Sequence, residues 1–201
     1  DLSVSSAAAI GHGKPDYQLF KRYVNSSNLT QNPKDRLISK PVSAQVAVYR
    51  NGSLVAFGTS SGNIACDTTT GKITFVPDLI KTISSISRAN PGVVVSSGHS
   101  YVTGNVIYIR DAGGMTQVNC LAFTIVSATT STWILSGTDT SSYTAYTSGG
   151  KAERYAQSSE ALFWEGQYDV PCRFATDHMA ATVHLINNQS WPGIQIMEVR
   201  T

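Results

Sequence analysis

Apolar residues in this chain recur mostly at a period of two, in short runs separated by Gly, Asn, Pro and Ser. Alternation puts one set of side chains on each face of an extended segment, so the pattern predicts strands rather than helices. Gln45–Tyr49 and Leu54–Phe57 flank Asn51-Gly52. That dipeptide between apolar alternations predicts a hairpin, because both turn residues take positive φ. Residues 65–67 and 72–76 repeat the arrangement around Thr70-Gly71, and Tyr17–Val24 is predicted as a further strand. Residues 1–16 read as an irregular arm, small and polar from Ser3 to Ala9 and broken by Gly11-His12-Gly13. Asn25–Asp35 reads as a long polar loop.

The texture changes near Ile80. Lys81–Ala89 alternates with Ile83, Ser85 and Ser87 on one face and Thr82, Ser84 and Ile86 on the other. Asn90-Pro91-Gly92 turns the chain into a short strand, Val93–Val95. Asn105–Asp111 sets Val106, Tyr108 and Arg110 against Ile107 and Ile109. Phe123–Val126 and Thr132–Leu135 are two more strands, and Tyr143–Gly150 reads as a polar tail. Turn signals every ~8–12 residues suggest a small barrel or sandwich. Beyond Lys151 the first pattern resumes with the apolar run Ala161–Trp164, alternation over Met179–Ile186, a turn at Asn187–Ser190 and a last strand within Ile194–Val199. The predicted fold class is all-β. Residues 1–79 and 154–201 form a discontinuous β-sandwich or barrel module, with 80–153 inserted as a small β-barrel.

One stretch organises the second half. In Tyr168–Asp177, Val170, Cys172 and Phe174 alternate with Asp169, Pro171, Arg173 and Ala175. Alternation predicts a half-buried strand, and Pro171, which donates no backbone hydrogen bond, puts it at a sheet edge.

Composition narrows the function classes. The 201 residues are only 14% charged, with a formal charge of +2. Basic residues are scattered, whereas nucleic-acid binders gather them on one face, so nucleic acid is not an expected partner. No apolar run reaches the ~18 residues that span a bilayer, and no charged-then-apolar leader opens the chain, so membrane insertion is not expected. Asp1 stands first rather than Met, which is compatible with a missing or removed N-terminal part. Cys66, Cys120 and Cys172 fit neither a metal-ligand spacing nor a disulfide framework. They read as small buried apolar residues in a chain folded in a reducing cytoplasm.

Candidate chemistry is thin. His12 reads as a loop histidine, and Asn28-Leu29-Thr30 as a chance match to the glycosylation pattern. His178 and His184 lie six residues apart, ~20 Å along a strand, too far to share a metal. Glu160 and Glu165 could pair as acid and base, but a solvated loop face is the expectation. No phosphate loop, serine elbow or Cys-x-x-Cys occurs. Trp133, Trp164, Trp191, Tyr143 and Tyr146 could stack on sugars, although such aromatics more often fill a β core or an interface. No catalytic, metal or cofactor-binding residue is assigned, and no enzyme activity is expected.

Two resemblances add to this. "YDVPCRFATDHM" at 168–179, with "IQIMEVR" at 194–200, resembles the closing signature of a bacteriophage tail-protein family that includes the distal tail protein of gene transfer agents. Cys172 stands where that family usually has Val, and Ala175 where it has Asp. Tyr17–Tyr23, Ile38–Val42, Val46–Gly52 and Asp67–Phe75 resemble four further blocks of the family, in the same order. The resemblance implies a structural, non-catalytic virion component at the tail tip, made in the host bacterial cytoplasm. It implies that the copies form a ring, of six subunits, with a tail tube protein and a baseplate hub protein as partners.

Residues 80–153 resemble the small β-barrel known as the first catalytic-cysteine half-domain of ubiquitin-activating enzymes. The matching features are Asn90-Pro91, His99, Thr103–Val106, Gly114–Thr116, Asn119, Phe123, Leu135–Gly137 and Tyr143–Tyr146. This carries no chemistry to Cys120, whose apolar setting lacks the positive surroundings that activate a thiol. A carbohydrate- or receptor-binding adhesin module is the alternative expectation.

Overall fold

Alternation becomes strand through much of the described chain. A computed structural model describes residues 2–8, 15–23, 34–175, 182–185, 188–190 and 195–199, and contains no α-helix among them. β1 (Leu2–Ala8) pairs antiparallel with β2 (Pro15–Tyr23), and the second half of β2 pairs with β3 (Lys34–Leu37). The irregular arm expected over residues 1–16 is thus corrected to a strand for Leu2–Ala8. Ser and Ala give little apolar contrast, so the partner strand reveals what the local pattern hides. β3 likewise begins at Lys34, inside the expected loop. His12 and Asn28 lie outside the described residues.

Both predicted hairpins are present. β4 (Ala47–Arg50) turns into β5 (Ser53–Val55) through Asn51 and Gly52 at φ 50° and 80°. β6 (Ile64–Asp67) turns into β7 (Lys72–Phe75), which pairs with β2. The second turn is held by the Asp67 carboxylate, which accepts the Thr69 N–H at 2.8 Å and the Thr70 hydroxyl at 2.7 Å. Gly71 sits there at φ 69°, and a Cβ on it would lie 1.7 Å from the Ile38 carbonyl oxygen. Only glycine fits that approach.

The next strands form one sheet in the order β8-β14-β11-β12-β13-β10-β9: β8 (Leu79–Thr82), β9 (Ser85–Ile86), β10 (Val93–Val95), β11 (Val106–Gly113), β12 (Leu121–Val126), β13 (Thr132–Leu135) and β14 (Ser148–Arg154). Its two ends, β8 and β9, are consecutive halves of residues 79–86. Ile83 donates to the Gly150 carbonyl and Ser84 to the Val95 carbonyl, so the segment changes partner there and the sheet closes into a barrel. That switch corrects the single alternating strand expected over Lys81–Ala89. It lets both Ile83 and Ile86, placed on opposite faces by strict alternation, enter the interior at 2% and 5% exposure.

Ile107, Ile109, Trp133 and Leu135 fill the barrel, as their alternation implies. His99 and Tyr101 pack edge-on against Trp133, with centroids 4.8 and 5.2 Å away. The Tyr101 N–H donates to His99 Nδ1 at 3.0 Å, and burial pushes this imidazole below the ordinary histidine value. Tyr143 and Tyr146, expected in a polar tail, pack against the same core.

Past the barrel, β15 (Leu162–Glu165) joins β4 and β5 in a three-stranded sheet. β16 (Cys172–Phe174) pairs with β19 (Ile196–Glu198), and β17 (Thr182–Leu185) with β18 (Asn188–Ser190), where a turn was expected. His178 and Trp191 lie outside the described residues.

A second buried cluster joins Tyr17, Leu19, Ile38, Val48, Ile64, Ile73 and Phe75 to Tyr155 and Ala156. We call the elements around it the frame. The Tyr17 hydroxyl donates to the Ala156 carbonyl at 2.7 Å. Tyr108, on the outer face of β11, packs against this cluster and so joins barrel to frame.

Candidate functional site

Charged groups and exposed apolar groups lie in different places. At the junction of barrel and frame, Arg50 at the end of β4 holds Glu160 through Nε and Nη2 at 2.5 and 2.8 Å, and Asp78 at 2.6 Å. Arg154, at the end of β14, binds the same two carboxylates. Side-chain exposures in this neutral group of four are 12–22%. Burial alone would raise the Glu160 carboxyl. Hydrogen bonds from Arg50 and from the Gln157 N–H, with the charges of both arginines, outweigh it and hold the group below its ordinary value. The solvated loop expected for Glu160 is therefore corrected to a structural ion cluster. Glu165 is exposed, and the Tyr49 hydroxyl donates to it at 3.4 Å. The two glutamates do not form an acid–base pair.

The other expected candidates are also dispersed. Trp133 is fully buried in the barrel, and the indole N–H of Trp164 donates to the Phe20 carbonyl at 2.9 Å. With Tyr143 and Tyr146 against the barrel core, the described aromatics among those named for sugar stacking make no shared exposed platform. The expected burial of the cysteines is corrected. Cys66 is half-buried, and Cys120 and Cys172 are exposed. Cys120 occupies a turn at φ 60°, its N–H donating to Ile109, and so cannot follow a buried strand face. Among the described residues no three His, Cys, Asp or Glu side chains could hold a metal ion. No described helix is long and apolar enough to cross a membrane.

Exposed apolar surface gathers at the β16–β19 ribbon. Every residue of both strands is exposed, which corrects the half-buried strand expected around Val170–Phe174. The alternation there assigns faces correctly to a strand, but neither face is covered. Beside the ribbon lies an open groove of about 630 Å3, lined by Tyr23, Asp35, Arg36, Leu37, Ile38, Ser39, Tyr168, Asp169, Pro171, Glu198 and Val199. Of the twelve exposed large apolar residues among those described, Tyr23, Leu37 (67%) and Val199 line the groove, and Val170, Phe174 (57%), Ile196 (63%) and Met197 lie on the ribbon or just before it.

Three of the four charged residues that line the groove, Asp35, Arg36 and Glu198, are in ion pairs. Arg22 binds Asp35 at 2.7 Å, and Arg36 binds Glu198 at 2.6 Å while lying over the Tyr168 ring. Lys21 caps the Tyr23 ring. Backbone bonds from Asp169 to Lys40 and from Val42 to Gln167 tie the base of the ribbon to the frame. What remains, besides the exposed Asp169 carboxylate, is apolar side-chain surface and the outer edges of two short strands. Such a site suits contact with another macromolecular surface better than bond chemistry.

Sequence reasoning singled out the ribbon but not Leu37 or Tyr23. Their exposure depends on β3 having no neighbour beyond β2 in the sheets described, which no local pattern encodes. No protein-family model matches this chain, and no curated protein is similar to it in sequence.

Proposed function

We propose that this chain is a structural component of a phage tail tip, a distal tail protein whose copies form a ring between the tail tube protein and the baseplate hub protein in the virion. The sequence resemblance at 168–179 and 194–200 supplies the family. The structural observation that carries the reading is the ribbon of β16 and β19, all of it exposed and apolar at Phe174, Ile196 and Met197. An isolated two-stranded ribbon is marginal in water, so this one is expected to be covered by a neighbour. Closed rings use head-to-tail contacts, and strand edges with apolar flanks supply them.

In this reading the chain has no catalytic role. The barrel, whose strands already close on one another, projects away from the ring contacts as spacer, decoration or receptor contact. Negative-stain micrographs of the purified chain test it. Rings about 100 Å across, the width of six ~20 kDa subunits in a circle, are the expected particles. Dispersed single copies would count against it.

A further inference from the structure

Head-to-tail association needs two different surfaces on each copy. The ribbon and groove are one. The frame carries a second that nothing above has used. Among the described residues β5 pairs with β4, and the chain just beyond it is held on the outer side by Ile64, which donates to the Ala56 carbonyl and accepts from the Gly58 N–H, so the open part of this edge is at Leu54. Leu54 is 65% exposed and Phe57 46%. Native edge strands are normally guarded by charges, proline or bulges against pairing with other chains. Here no charged residue and no proline occurs from Asn51 to Cys66. β16, by contrast, follows Pro171 and carries Arg173.

The area favours a second copy as the occupant. The seven exposed apolar residues of the ribbon and groove together amount to roughly 600 Å2, taking ~150–250 Å2 for an aromatic side chain and somewhat less for an aliphatic one. That is the upper end of what a monomer exposes, and about three-quarters of one partner's share in a standard interface. A two-fold contact between ribbons would cover the first surface, leave the edge of β5 bare and stop at two copies.

We propose that the β16–β19 ribbon of one copy docks on the β5 edge of a second copy, setting Phe174 and Ile196 against Leu54 and Phe57. This rests on the association reading above and adds which two surfaces meet. Cys172 is exposed on β16 and serves as a native reporter.

The test uses the full chain with Cys120→Ser, with and without Leu54→Cys, treated with a short bis-maleimide and run on denaturing gels. The expected result is a ladder of cross-linked copies that requires the introduced thiol. A dimer joined through Cys172 alone would overturn the head-to-tail pairing, as would the absence of any cross-link in a chain that assembles. Leu54→Lys keeps an exposed position exposed, so folding should survive. It is expected to weaken association by about tenfold or more, and unchanged assembly would overturn the inference while leaving the ring reading standing. A parent chain that stays single under all conditions would count against both.

Discussion

In the barrel, the strands that begin and end the sheet are two halves of residues 79–86, so the two one-sided strands, β8 and β9, run on into each other and the five between them are paired on both sides. In the frame, β3, β5, β16 and β19 each pair on one side only in the sheets described. Exposed apolar residues follow the same division. Among the described residues the barrel shows Ile80, Val102 and Leu121 singly, while the frame and the ribbon tied to it carry seven at the ribbon and groove and two more at and just past β5. Closure removes the need for partners, and open edges with apolar flanks create it. In the proposed assembly the frame is therefore the associating part of the molecule and the barrel a self-contained unit attached to it.

The sharpest way to break this comparison is to damage one core and watch the other. Trp133→Ala empties the centre of the barrel and is expected to cost about 3–5 kcal/mol. Native-state hydrogen exchange should show barrel amides losing protection while β2 and β7 keep theirs; simultaneous loss would mean the two cores are one cooperative unit. Gly71→Ala strikes the frame, because its Cβ would meet the Ile38 carbonyl at a positive φ. A loss of about 2–4 kcal/mol is expected, with protection lost first in β2, β6 and β7.

Glu160→Gln opens the ion cluster at the junction. It is expected to cost about 2 kcal/mol, below the range for fully buried pairs because these side chains are still partly solvated. The same group gives a pH signature. Its folded carboxyl binds a proton less readily than the unfolded one, so its stabilisation is present above the ordinary glutamate value of ~4.5 and is lost as pH falls through the lowered one. His99 has the same sign at higher pH: its contribution stands above the ordinary histidine value of ~6.5 and fades as pH falls through the lowered folded value. Denaturant midpoints across pH 3–8 should therefore fall first through the barrel and then through the junction. In the Glu160→Gln chain only the second fall should shrink.

Phe174→Asp should leave the fold within about 0.5 kcal/mol, as exposed substitutions do, but abolish association in light scattering. The smallest effect is expected at Arg22, whose pair with Asp35 is fully solvated. Arg22→Ala should leave the thermal midpoint unchanged.

Much of the fold was legible because it is local. Asn51-Gly52 marks its hairpin, and Val93–Val95 and Thr132–Leu135 are strands with the bounds their alternation implies. Ile107 and Ile109 point inward for the same reason. What was not legible depends on partners distant in the chain. The change of partner at Ile83–Ser84 has no local marker, since it follows from where β14 and β10 lie. Arg50 and Glu160 are 110 positions apart, and Arg50 and Asp78 are 28. In a chain with so few charges, their gathering is a tertiary event. The period of two at Val170–Phe174 fixes faces but not whether anything lies over them. The charge-free run from Asn51 to Cys66 is a readable signal at the other surface, legible in hindsight as an edge without guards.

The most direct test of the frame as the associating part is the molar mass in solution, measured by light scattering over a concentration series together with the Phe174→Asp chain. The account predicts a mass that is a fixed multiple of the single chain and falls to one copy in the variant. A single-chain mass at every concentration, or a multiple that survives the substitution, would contradict it.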